Sequence, residues 1–567
     1  MRKLPALALI GAVIGTVALA PLGASADESL YAGFAAKPIT PVGPSPEGWD
    51  FWSSPQTGVW SEPYDDRNGN GCFDNGEAFT DDPRNSLIDP QSTAKFDGIW
   101  TNAGFGGKCA KGAYDDTWAR VALLTVGDKT AALVSLDVVG FFYEEIERIR
   151  TELDAADPDH GVDMVVVAST HTHEGPDTMG LWSNTPYAVD GKFPLYQAYI
   201  RSQVVDGILE AKAASKQAVM KAATVEHTLG IRDSRPPNVI DPMVQAAQFI
   251  SVEDGETLGT MVNWSNHPEA LASGNPFISS DFPHGTRQKM ESELGGTSVY
   301  FSGSVGGLMT PLGYNIEATN PATGEPYGSK VSLARTYYIG EKVADAAIAA
   351  LADAPVESPS TLGIDAREVF MPGDNLTLRA LNAAGIFDKP TYTAGVDLGR
   401  LGDEFKTQLV SVALGSVRFQ TVPGELFPEI ELGGYGRPDC PQADTGRPYE
   451  PIIRDQWDDE HLFVLGLGQD ELGYIVPGYD FWMYGAPNDE QPRPLVDIGA
   501  LEKTDPCGES HYEETVSGSS VLAPVVACTV ADLAGKDPYA DPEAYPACTS
   551  ENTTTGPQGL HLDSLIP

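Results

Sequence analysis

The sequence predicts a mixed α/β fold, and two observations support this prediction. From residue 118 onward, apolar runs typical of buried strands alternate with segments of helical periodicity. Beyond about residue 360 strands dominate, which makes the later part richer in β-structure. Residues 41–113 and 486–567 lack this periodicity and are rich in Pro and Asp. We therefore expect one mixed-sheet domain over 27–485, with a loop-rich insertion at 41–113 and an irregular C-terminal extension from 486.

The predicted elements follow one another along the chain. The strands WARVALLTVG and AALVSLDVVG are joined by the turn GDKT, and the helix EEIERIRTELDAA comes next. The strand DMVVVAST then ends directly before His171. Further elements are a helix near 194–215, the strands QAVMKAATVEHTL, QAAQFISV and GTMVNWSN, and the helices FPHGTRQKMESEL and LARTYYIGEKVADAAIAALADA flanking the strand TSVYFSG. The last strands are TLGIDAREVFM, the hairpin QLVSVALGSVRFQTVPG, and LFVLGLG.

The first residues resemble a secretory signal peptide. Arg2 and Lys3 precede an apolar run from Leu4 to Ala20, and Ala24-Ser25-Ala26 follows it. A charged start, a short apolar core and a small-residue cleavage site predict a signal peptide over 1–26 and a secreted, extracellular protein. A retained N-terminal anchor is the alternative. No other stretch is long and apolar enough to cross a bilayer, so we expect no stable membrane insertion.

The net charge of the chain limits the kinds of partner that it can bind. The chain has 80 acidic and 36 basic residues, and its formal net charge is −44 at pH 7. Such a chain repels phosphate backbones and anionic membrane surfaces, which excludes nucleic acid as a partner. The acidic residues are spread along the chain, as is typical of a soluble protein. The oligomeric state is not indicated.

The six cysteines are Cys72, Cys109, Cys440, Cys507, Cys528 and Cys548. An even number in an exported chain predicts up to three disulfides. Proximity in sequence favours Cys72–Cys109 and two pairs among the later four, whose pairing stays open. No two cysteines have the C-x-x-C spacing of a zinc knuckle or redox site.

The segment STHTHEGPDT contains the first candidates for chemistry. His171 and His173 follow a buried strand, and loops at strand ends are where α/β folds place functional side chains. Alternate residues of an extended chain point the same way, so both imidazoles can face one cavity. The pattern fits two metal ligands, or one ligand beside a catalytic or supporting histidine.

Three later residues occupy comparable positions. His267 in MVNWSNHPEAL, Glu425 in TVPGELF and Tyr474 in GLGQDELGYIVP each follow a strand. His267 fits a turn before Pro268 as well as it fits a metal site, and acidic residues and tyrosines are ordinary in such loops. Taken singly, none of the three predicts a metal site.

The order of these motifs resembles that of the neutral (non-lysosomal) ceramidases. STHTHEGPD is similar to that family's ATHTHSGP, and NWSNHPEAL to its second histidine motif. SSDFPHG, VPGELF and GLGQDELGYIVP are similar to its serine-aspartate, P-G-E and G-L-x-N-x-Y-x-x-Y-(V/I) motifs, and LYAGFAAKPITP to its opening. The resemblance covers about residues 30–485 in one order. It implies a mixed-sheet catalytic domain that hydrolyses linear amides, ceramide being cleaved to a fatty acid and a sphingoid base.

The resemblance also implies a zinc site. The implied ligands of Zn²⁺ are His171, His267, Glu425 and Tyr474. Zinc bound in this way would activate a water molecule as the nucleophile and polarise the scissile carbonyl. His173 would then be the acid–base or transition-state-stabilising residue.

Two further catalytic residues are implied. Arg235 in IRDSRPPNV matches the arginine of the family's N-R-S-P motif and would orient or neutralise the developing oxyanion, with Arg232 as the alternative. Tyr484 lies in the region of the family's later active-site tyrosine.

The chain departs from the family at a motif assigned to catalysis. SVGGLMTPLG stands where the family has G-D-V-S-P-N, so Thr310 replaces the serine and the aspartate is absent. The β-methyl of threonine stiffens χ1 and crowds the site. A mechanism with zinc-activated water tolerates this change better than one with a free serine nucleophile. The insertion has no obvious counterpart, and the family's C-terminal immunoglobulin-like domain is not evident.

The insertion contains a calcium-type loop at 66–77, DRNGNGCFDNGE, which fits D-x-[DN]-x-[DN]-G-x5-E at every position. Its expected oxygen donors are Asp66, Asn68, Asn70, Cys72 through its main-chain carbonyl, and Glu77. The preceding WSEPYD is not helical, so we expect a structural Ca²⁺ site and no EF-hand. An acidic Asn-Gly turn without an ion is the alternative.

Three functional hypotheses follow. The first is a secreted zinc-dependent amidohydrolase, ceramidase-like, whose partner is a small-molecule or lipid amide. The second is the same zinc site acting on another amide or ester. The third belongs to a different class, a non-catalytic calcium-binding exported protein on a degenerate hydrolase fold. Zinc content separates the third from the other two.

Overall fold

The computed structural model describes residues 28–43, 53–84, 95–101, 107–183, 190–307, 309–482 and 505–554. The predicted signal peptide and Tyr484 lie outside the described residues. Among the described residues, no helix is both long enough and apolar enough to span a membrane.

The described residues form twenty-two strands, which are labelled in chain order. They are β1 Leu30–Pro38, β2 Trp100–Thr101, β3 Lys108–Cys109, β4 Trp118–Val126, β5 Lys129–Leu136, β6 Met164–Ser169, β7 Lys216–Glu226, β8 Arg232–Asp233, β9 Met243–Ser251, β10 Thr257–Trp264, β11 Thr297–Ser302, β12 Met309–Thr310, β13 Ile316–Thr319, β14 Pro326–Gly328, β15 Leu362–Pro372, β16 Thr391–Thr393, β17 Val396–Asp397, β18 Glu404–Leu414, β19 Val417–Thr421, β20 Glu425–Leu426, β21 His461–Leu465 and β22 Tyr474–Ile475.

The helices are labelled in the same way. The α-helices are α1 Tyr143–Ala156, α2 Pro194–Ala213, α3 Phe282–Leu294, α4 Leu333–Asp353, α5 Leu376–Ala383, α6 Pro428–Leu432, α7 Leu522–Leu533 and α8 Ser550–Thr554. Short 3-10 helices are Pro441–Ala443, Arg454–Gln456, Gly478–Asp480, Glu513–Val516 and Pro546–Cys548.

Eight strands form the larger sheet, in the order β11-β10-β9-β7-β1-β4-β5-β6. Its neighbours run antiparallel except at the two ends, where β10 pairs with β11 and β5 with β6 in parallel. Parallel neighbours need a crossover connection, which α3 and α1 provide. The loops that follow the carboxyl ends of β6 and β10 carry His171 and His267, respectively.

The larger sheet curls until its two edges meet. Ser135 in β5 donates a hydrogen bond to the carbonyl of Tyr300 in β11 at 2.6 Å. Ser302, the last residue of β11, donates to the carbonyl of Thr170 just beyond β6 at 2.7 Å. The curl therefore brings the end of β6 beside the ends of β10 and β11, although these strands lie at opposite edges of the sheet.

Six strands form the second sheet, in the order β17-β16-β18-β19-β21, with β15 also paired to β18. Its β19 and β21 run parallel, so their carboxyl ends lie side by side. The chain continues from these ends into β20 and β22, which pair in parallel with Glu425 opposite Tyr474.

Apolar side chains join four layers, which are the two sheets and the helices on the outer face of each sheet. The core between the two sheets includes Leu124, Phe249, Val412, Phe419 and Phe463. Helices α1 to α4 pack on the other face of the larger sheet. Helix α7 packs on the outer face of the second sheet. Burial of aliphatic and aromatic side chains on both faces of each sheet is the main stabilising term for such a fold.

The predicted mixed α/β fold is confirmed, with every predicted strand and helix present near its expected bounds. In the insertion, the described residues form two two-residue strands, β2 and β3, with turns and isolated bridges. The C-terminal extension differs from the expected irregular structure at α7. Its run LAPVVACTVADL is buried along nearly its whole length, because the sheet supplies an apolar partner.

Three disulfides are present, as predicted. Cys72 is bonded to Cys109, and the pairs that the sequence left open are Cys440–Cys507 and Cys528–Cys548. The first disulfide links two parts of the insertion. Cys440–Cys507 joins the described part of the C-terminal extension to the domain, and Cys528–Cys548 lies within that extension.

Candidate metal centre

His171 lies two residues beyond β6, at a backbone φ of 64°. This left-handed conformation is uncommon for histidine and is typical of residues held at functional sites. Its main-chain nitrogen bonds the carbonyl of Val138 at 3.0 Å. Its Nδ1 lies 2.6 Å from the carbonyl of Val139, and because a carbonyl only accepts, Nδ1 donates. In the neutral ring, the lone pair is therefore on Nε2, which lies 3.3 Å from Nε2 of His173.

His267 is held in the same way beyond β10. Its main-chain nitrogen and its Nδ1 both donate to the carbonyl of Met309, at 2.8 and 2.9 Å. In the neutral ring, Nε2 consequently carries the lone pair and points away from β12. A ring N–H donated to a main-chain carbonyl, with the other nitrogen unprotonated, is the arrangement that metal-binding histidines usually have.

The carboxylate of Glu425 joins these two histidines. Its Oε2 lies 3.4 Å from Nε2 of His171 and 3.1 Å from Nε2 of His267. All three side chains are buried, between 2% and 6% exposed. Two nitrogen atoms and one oxygen atom thus converge at a buried point, and burial of these groups is costly unless a proton or a cation joins them.

His173 is the third histidine of the cluster and the most open. Its Nε2 lies 3.3 Å from Nε2 of His171, while its Nδ1 lies 3.7 Å from a carboxylate oxygen of Glu269. The side chains of His173 and Glu269 are each 19% exposed. His171, His173 and His267 each present one nitrogen within 4.8 Å of the others, so all three can reach one metal ion. We name these three residues with Glu425 the histidine–glutamate cluster.

Tyr474 is placed beside Glu425 by the parallel pairing of β20 and β22. Its side chain is buried, and its hydroxyl lies 3.2 Å from the hydroxyl of Tyr512. Burial, the negative charge of Glu425 and the neighbouring Tyr512 raise the pKa of the Tyr474 phenol well above its usual value. Without a cation nearby, the phenol therefore keeps its proton.

Thr310 is the last residue of β12, directly after the Met309 that orients His267. Its hydroxyl donates a hydrogen bond to Glu269. Arg232 pairs with it across the β8–β12 ladder and bonds the carbonyl of Leu312 through Nε. Thr310 is thus connected to His173 through the carboxylate of Glu269.

Arg235 lies in a separate buried network. Its guanidinium contacts the carboxylates of Asp480 at 2.8 Å, Glu513 at 3.0 Å and Glu514 at 2.9 Å. It also lies over the ring of Phe427, 4.9 Å from the centroid. Its positive charge is therefore already balanced by three carboxylates, a geometry that favours a structural role over charge stabilisation of an oxyanion.

Burial and neighbouring charges shift the pKa values of the cluster residues, often in opposite directions. Burial alone would raise the pKa of Glu425, but the imidazoles of His171 and His267 lower it below its usual value. Burial lowers the pKa of His173 well below its usual value, and the two neighbouring histidines lower it further. Burial would also lower the pKa of His267, but Glu425 and Glu269 raise it overall. The lowered pKa favours the neutral imidazole of His173.

Sequence reasoning missed three residues near the cluster. Glu269 is two positions after His267 in the same motif, and this proximity in sequence could have identified it. Glu174 is 1% exposed, and burial followed by the nearby Asp281 raises its pKa well above the usual value. Tyr512 lies in the C-terminal extension, where no local pattern points to the site.

The loop 66–77 has the turns that the calcium pattern predicts. The carboxylate of Asp66 accepts bonds from the main-chain nitrogens of Gly69, Asn70 and Gly71. The carboxylate of Glu77 reaches back to the main-chain nitrogen of Arg67 at 2.9 Å. The amides of Asn68 and Asn70 both donate to Asp74, at 2.6 and 2.8 Å. An isolated bridge between Tyr64 and Phe79 closes the loop, and Cys72 is bonded to Cys109.

Solved structures with this architecture include a neutral ceramidase. The crystal structure of the neutral ceramidase from Pseudomonas aeruginosa superposes with a TM-score of 0.55 and 14% identity, over 89% of this chain and 74% of that one. The chain has the neutral ceramidase fold. A ceramidase complexed with C2 gives a TM-score of 0.57 and 14% identity, over 89% and 75%. No protein-family model and no curated protein matches the sequence.

The neutral ceramidase fold confirms the resemblance carried by the motif order, at the level of the fold. The two histidine motifs and the P-G-E motif, which are far apart in sequence, supply the members of one cluster. The last motif supplies Tyr474 beside it.

Proposed function

We propose that this protein is a secreted, zinc-dependent hydrolase of N-acyl amide bonds that cleaves ceramide-like lipid amides to a fatty acid and an amine base. One observation carries the proposal. The Nε2 atoms of His171 and His267 converge on Glu425, while each Nδ1 donates to a main-chain carbonyl. The neutral ceramidase fold supports the amide substrate, and the disulfides support an oxidising, extracellular location.

The donor set fits zinc. Two imidazoles and a carboxylate are three typical ligands of a catalytic zinc site, with a fourth position left for substrate or water. His173 and Tyr474 are the candidates for further coordination or for direct contact with substrate. When bound, zinc lowers the pKa of a water molecule towards neutrality and polarises a carbonyl.

The surrounding residues supply the remaining chemistry. His173 is partly exposed and lies next to the cluster, so its imidazole would take a proton from the attacking water and return one to the leaving amine. Glu269 faces its Nδ1 and favours the ring orientation that directs Nε2 inward. The side chains of His171, His267 and Glu425 are shielded from bulk water, which strengthens their electrostatic interactions.

Hydrolysis of a different amide or an ester at the same site is the second candidate. The observation that favours it is the bond from Thr310 to Glu269, because the hydroxyl that replaces the family's serine is already engaged. Ceramide recognition that depends on a free serine hydroxyl would be weakened by this bond.

A substrate screen tests the proposal. The purified protein is assayed against N-acylsphingosines beside unrelated aryl amides, aminoacyl amides and esters, with and without a zinc chelator, and its zinc content is measured. We expect one zinc ion per chain and chelator-sensitive release of fatty acid from N-acylsphingosine. Cleavage of only the other amides or esters supports the second candidate. A chain without stoichiometric zinc, or with activity that ignores the chelator, contradicts both.

The loop 66–77 is proposed as a structural Ca²⁺ site. Its support is the fit to the twelve-position pattern, the turn around Asp66 and the return of Glu77 to the start of the loop. Bound calcium would stiffen the insertion near the Cys72–Cys109 disulfide and would not take part in hydrolysis.

A further inference from the structure

The described part of the C-terminal extension reaches the candidate metal centre. Residues 505–518, here named the C-terminal segment, run alongside β22. The main-chain nitrogen of Gly518 donates to the carbonyl of Leu472 at 2.7 Å. A β-carbon on Gly473 would lie 1.7 Å from the carbonyl oxygen of Val516, so only glycine permits this approach. This close packing brings the hydroxyl of Tyr512 to 3.2 Å from that of Tyr474.

Arg235 holds the segment in place from the other side. Its guanidinium bridges Asp480, two residues before the end of the described part of the domain, to Glu513 and Glu514 of the segment. Nδ1 of His511 lies 2.8 Å from this guanidinium and 2.7 Å from a carboxylate oxygen of Glu514, and it can bond one of the two at a time. The planar fork of arginine suits several carboxylates at once, and lysine is a poor substitute in such a position.

Two other contacts fix the two ends of the segment. At its start, Asp505 pairs with the buried Arg437 at 3.1 Å, and Cys507 is bonded to Cys440. Near its end, the amide of Asn375 donates to the carbonyls of Thr515 and Ser517 at 3.0 and 2.9 Å. So many independent contacts over one short, irregular stretch fix the position of a side chain with little freedom.

We infer that the C-terminal segment is a part of the active site, in which Tyr512 donates a hydrogen bond to the phenol oxygen of Tyr474 and Arg235 acts as the positioning residue. The inference rests on the proposed zinc site. A phenol oxygen that contacts a cation accepts a hydrogen bond readily, and partners of this kind orient a metal ligand and strengthen its binding. Arg235 then acts at a distance, through the segment that carries Tyr512.

The first test compares Tyr512→Phe with Tyr545→Phe. Tyr545 is in the same extension, and its hydroxyl lies 3.5 Å from Gln456, away from the cluster. Zinc dissociation constants are measured by competition with a chromophoric chelator, and kcat and KM are measured on the substrate found in the screen. We expect Tyr512→Phe to bind zinc about 10- to 100-fold more weakly and to lose kcat, with KM and the thermal midpoint close to those of Tyr545→Phe.

The second test examines positioning. Arg235→Lys retains the positive charge but loses the forked guanidinium that bonds several carboxylates. We therefore expect faster deuterium uptake in peptides covering 505–518. We also expect the same weakening of zinc binding as in Tyr512→Phe. The double variant Arg235→Lys/Tyr512→Phe should be no weaker in zinc binding than the poorer single variant, because both act through one hydroxyl.

The outcomes separate this inference from the proposed function. If the wild type binds zinc and hydrolyses amides while Tyr512→Phe matches Tyr545→Phe in zinc affinity and kcat, the inference is overturned and the proposed function stands. If Arg235→Lys weakens zinc binding without faster exchange in 505–518, Arg235 does not act by positioning. If the wild type binds no zinc, both fail together.

Discussion

The hydroxyl of Thr310 donates to one oxygen of the Glu269 carboxylate, and the other oxygen lies 3.7 Å from Nδ1 of His173. A serine-like nucleophile needs a hydroxyl that is aimed at the substrate and a base that can remove its proton. Here the partner of the hydroxyl is a carboxylate that also faces the histidine. The geometry favours Thr310 as a support for Glu269 and His173.

The first prediction concerns Thr310. Thr310→Val keeps the shape and removes the hydrogen bond, so we expect kcat/KM to fall about 10-fold, which one hydrogen bond explains. Thr310→Ser keeps the hydroxyl and should stay within about threefold of the wild type. Rapid mixing should show no burst of the amine product. A burst, or a loss above about 1,000-fold in Thr310→Val, would identify Thr310 as a nucleophile instead.

The second prediction concerns His171. His171→Ala removes a nitrogen whose orientation is set by Val139, so we expect loss of stoichiometric zinc and a fall in kcat/KM of more than about 100-fold. Elemental analysis and the amidase assay measure the two effects. His160→Ala is the control, since His160 lies in the turn after α1 and contacts Asp154. Hydrolysis that survives in His171→Ala contradicts the ligand assignment.

The third prediction concerns the calcium loop. Ca²⁺ at 100 times its dissociation constant should raise the free energy of unfolding by about 2.7 kcal/mol, and thermal unfolding measures this effect. Glu77→Gln should abolish the shift, because it removes a charged ligand. Amide hydrolysis should be the same with and without Ca²⁺. An equal shift in wild type and Glu77→Gln would place the ion elsewhere.

The fourth prediction concerns pH. Burial, with some help from Asp233, raises the pKa of Glu429 to about 8, whereas an unfolded chain titrates near about 4.3. The folded state thus holds a proton that the unfolded state has lost, so the contribution of Glu429 to stability is fully present below about pH 4.3 and is lost as the pH rises to about 8.

Glu429→Gln removes this dependence. In denaturant titrations, we expect the free energy of unfolding of Glu429→Gln to exceed that of the wild type by a few kcal/mol at about pH 8.5. At about pH 5 the two values should be nearly equal. The control is Glu460→Gln, whose side chain is 78% exposed. A difference of the same size at both pH values would rule out titration of Glu429 as the cause.

The fifth prediction concerns the disulfides. Replacing Cys440 and Cys507 by serine opens a link between residues 67 positions apart, for which chain entropy predicts a loss of about 4 kcal/mol. Because this bond anchors the C-terminal segment, kcat should fall as well. The matched control opens Cys528–Cys548, with a separation of 20, and should lose about 3 kcal/mol while keeping kcat. Equal kcat in both variants would show that the anchor does not affect the site.

The fold class, the order of strands and helices and the position of each candidate ligand at a strand end could be predicted from the sequence. These features are local. Apolar periodicity reports which face of a segment is buried, and the turn and loop residues report where it stops. His171, His267 and Glu425 could be predicted because each stands at the end of such a segment within a motif whose order along the chain was informative.

The way in which these residues come together depends on the folded chain. The curl of the larger sheet brings the loops after β6 and β10 together, and the pairing of β20 with β22 adds Glu425 and Tyr474. Neither contact leaves a local pattern, because each joins segments separated by long stretches of chain. The positions of Tyr512 and Arg235 could not be predicted for the same reason. Tyr512 reaches Tyr474 through the packing of the C-terminal segment. Arg235 is buried among three carboxylates that come together only in the folded chain.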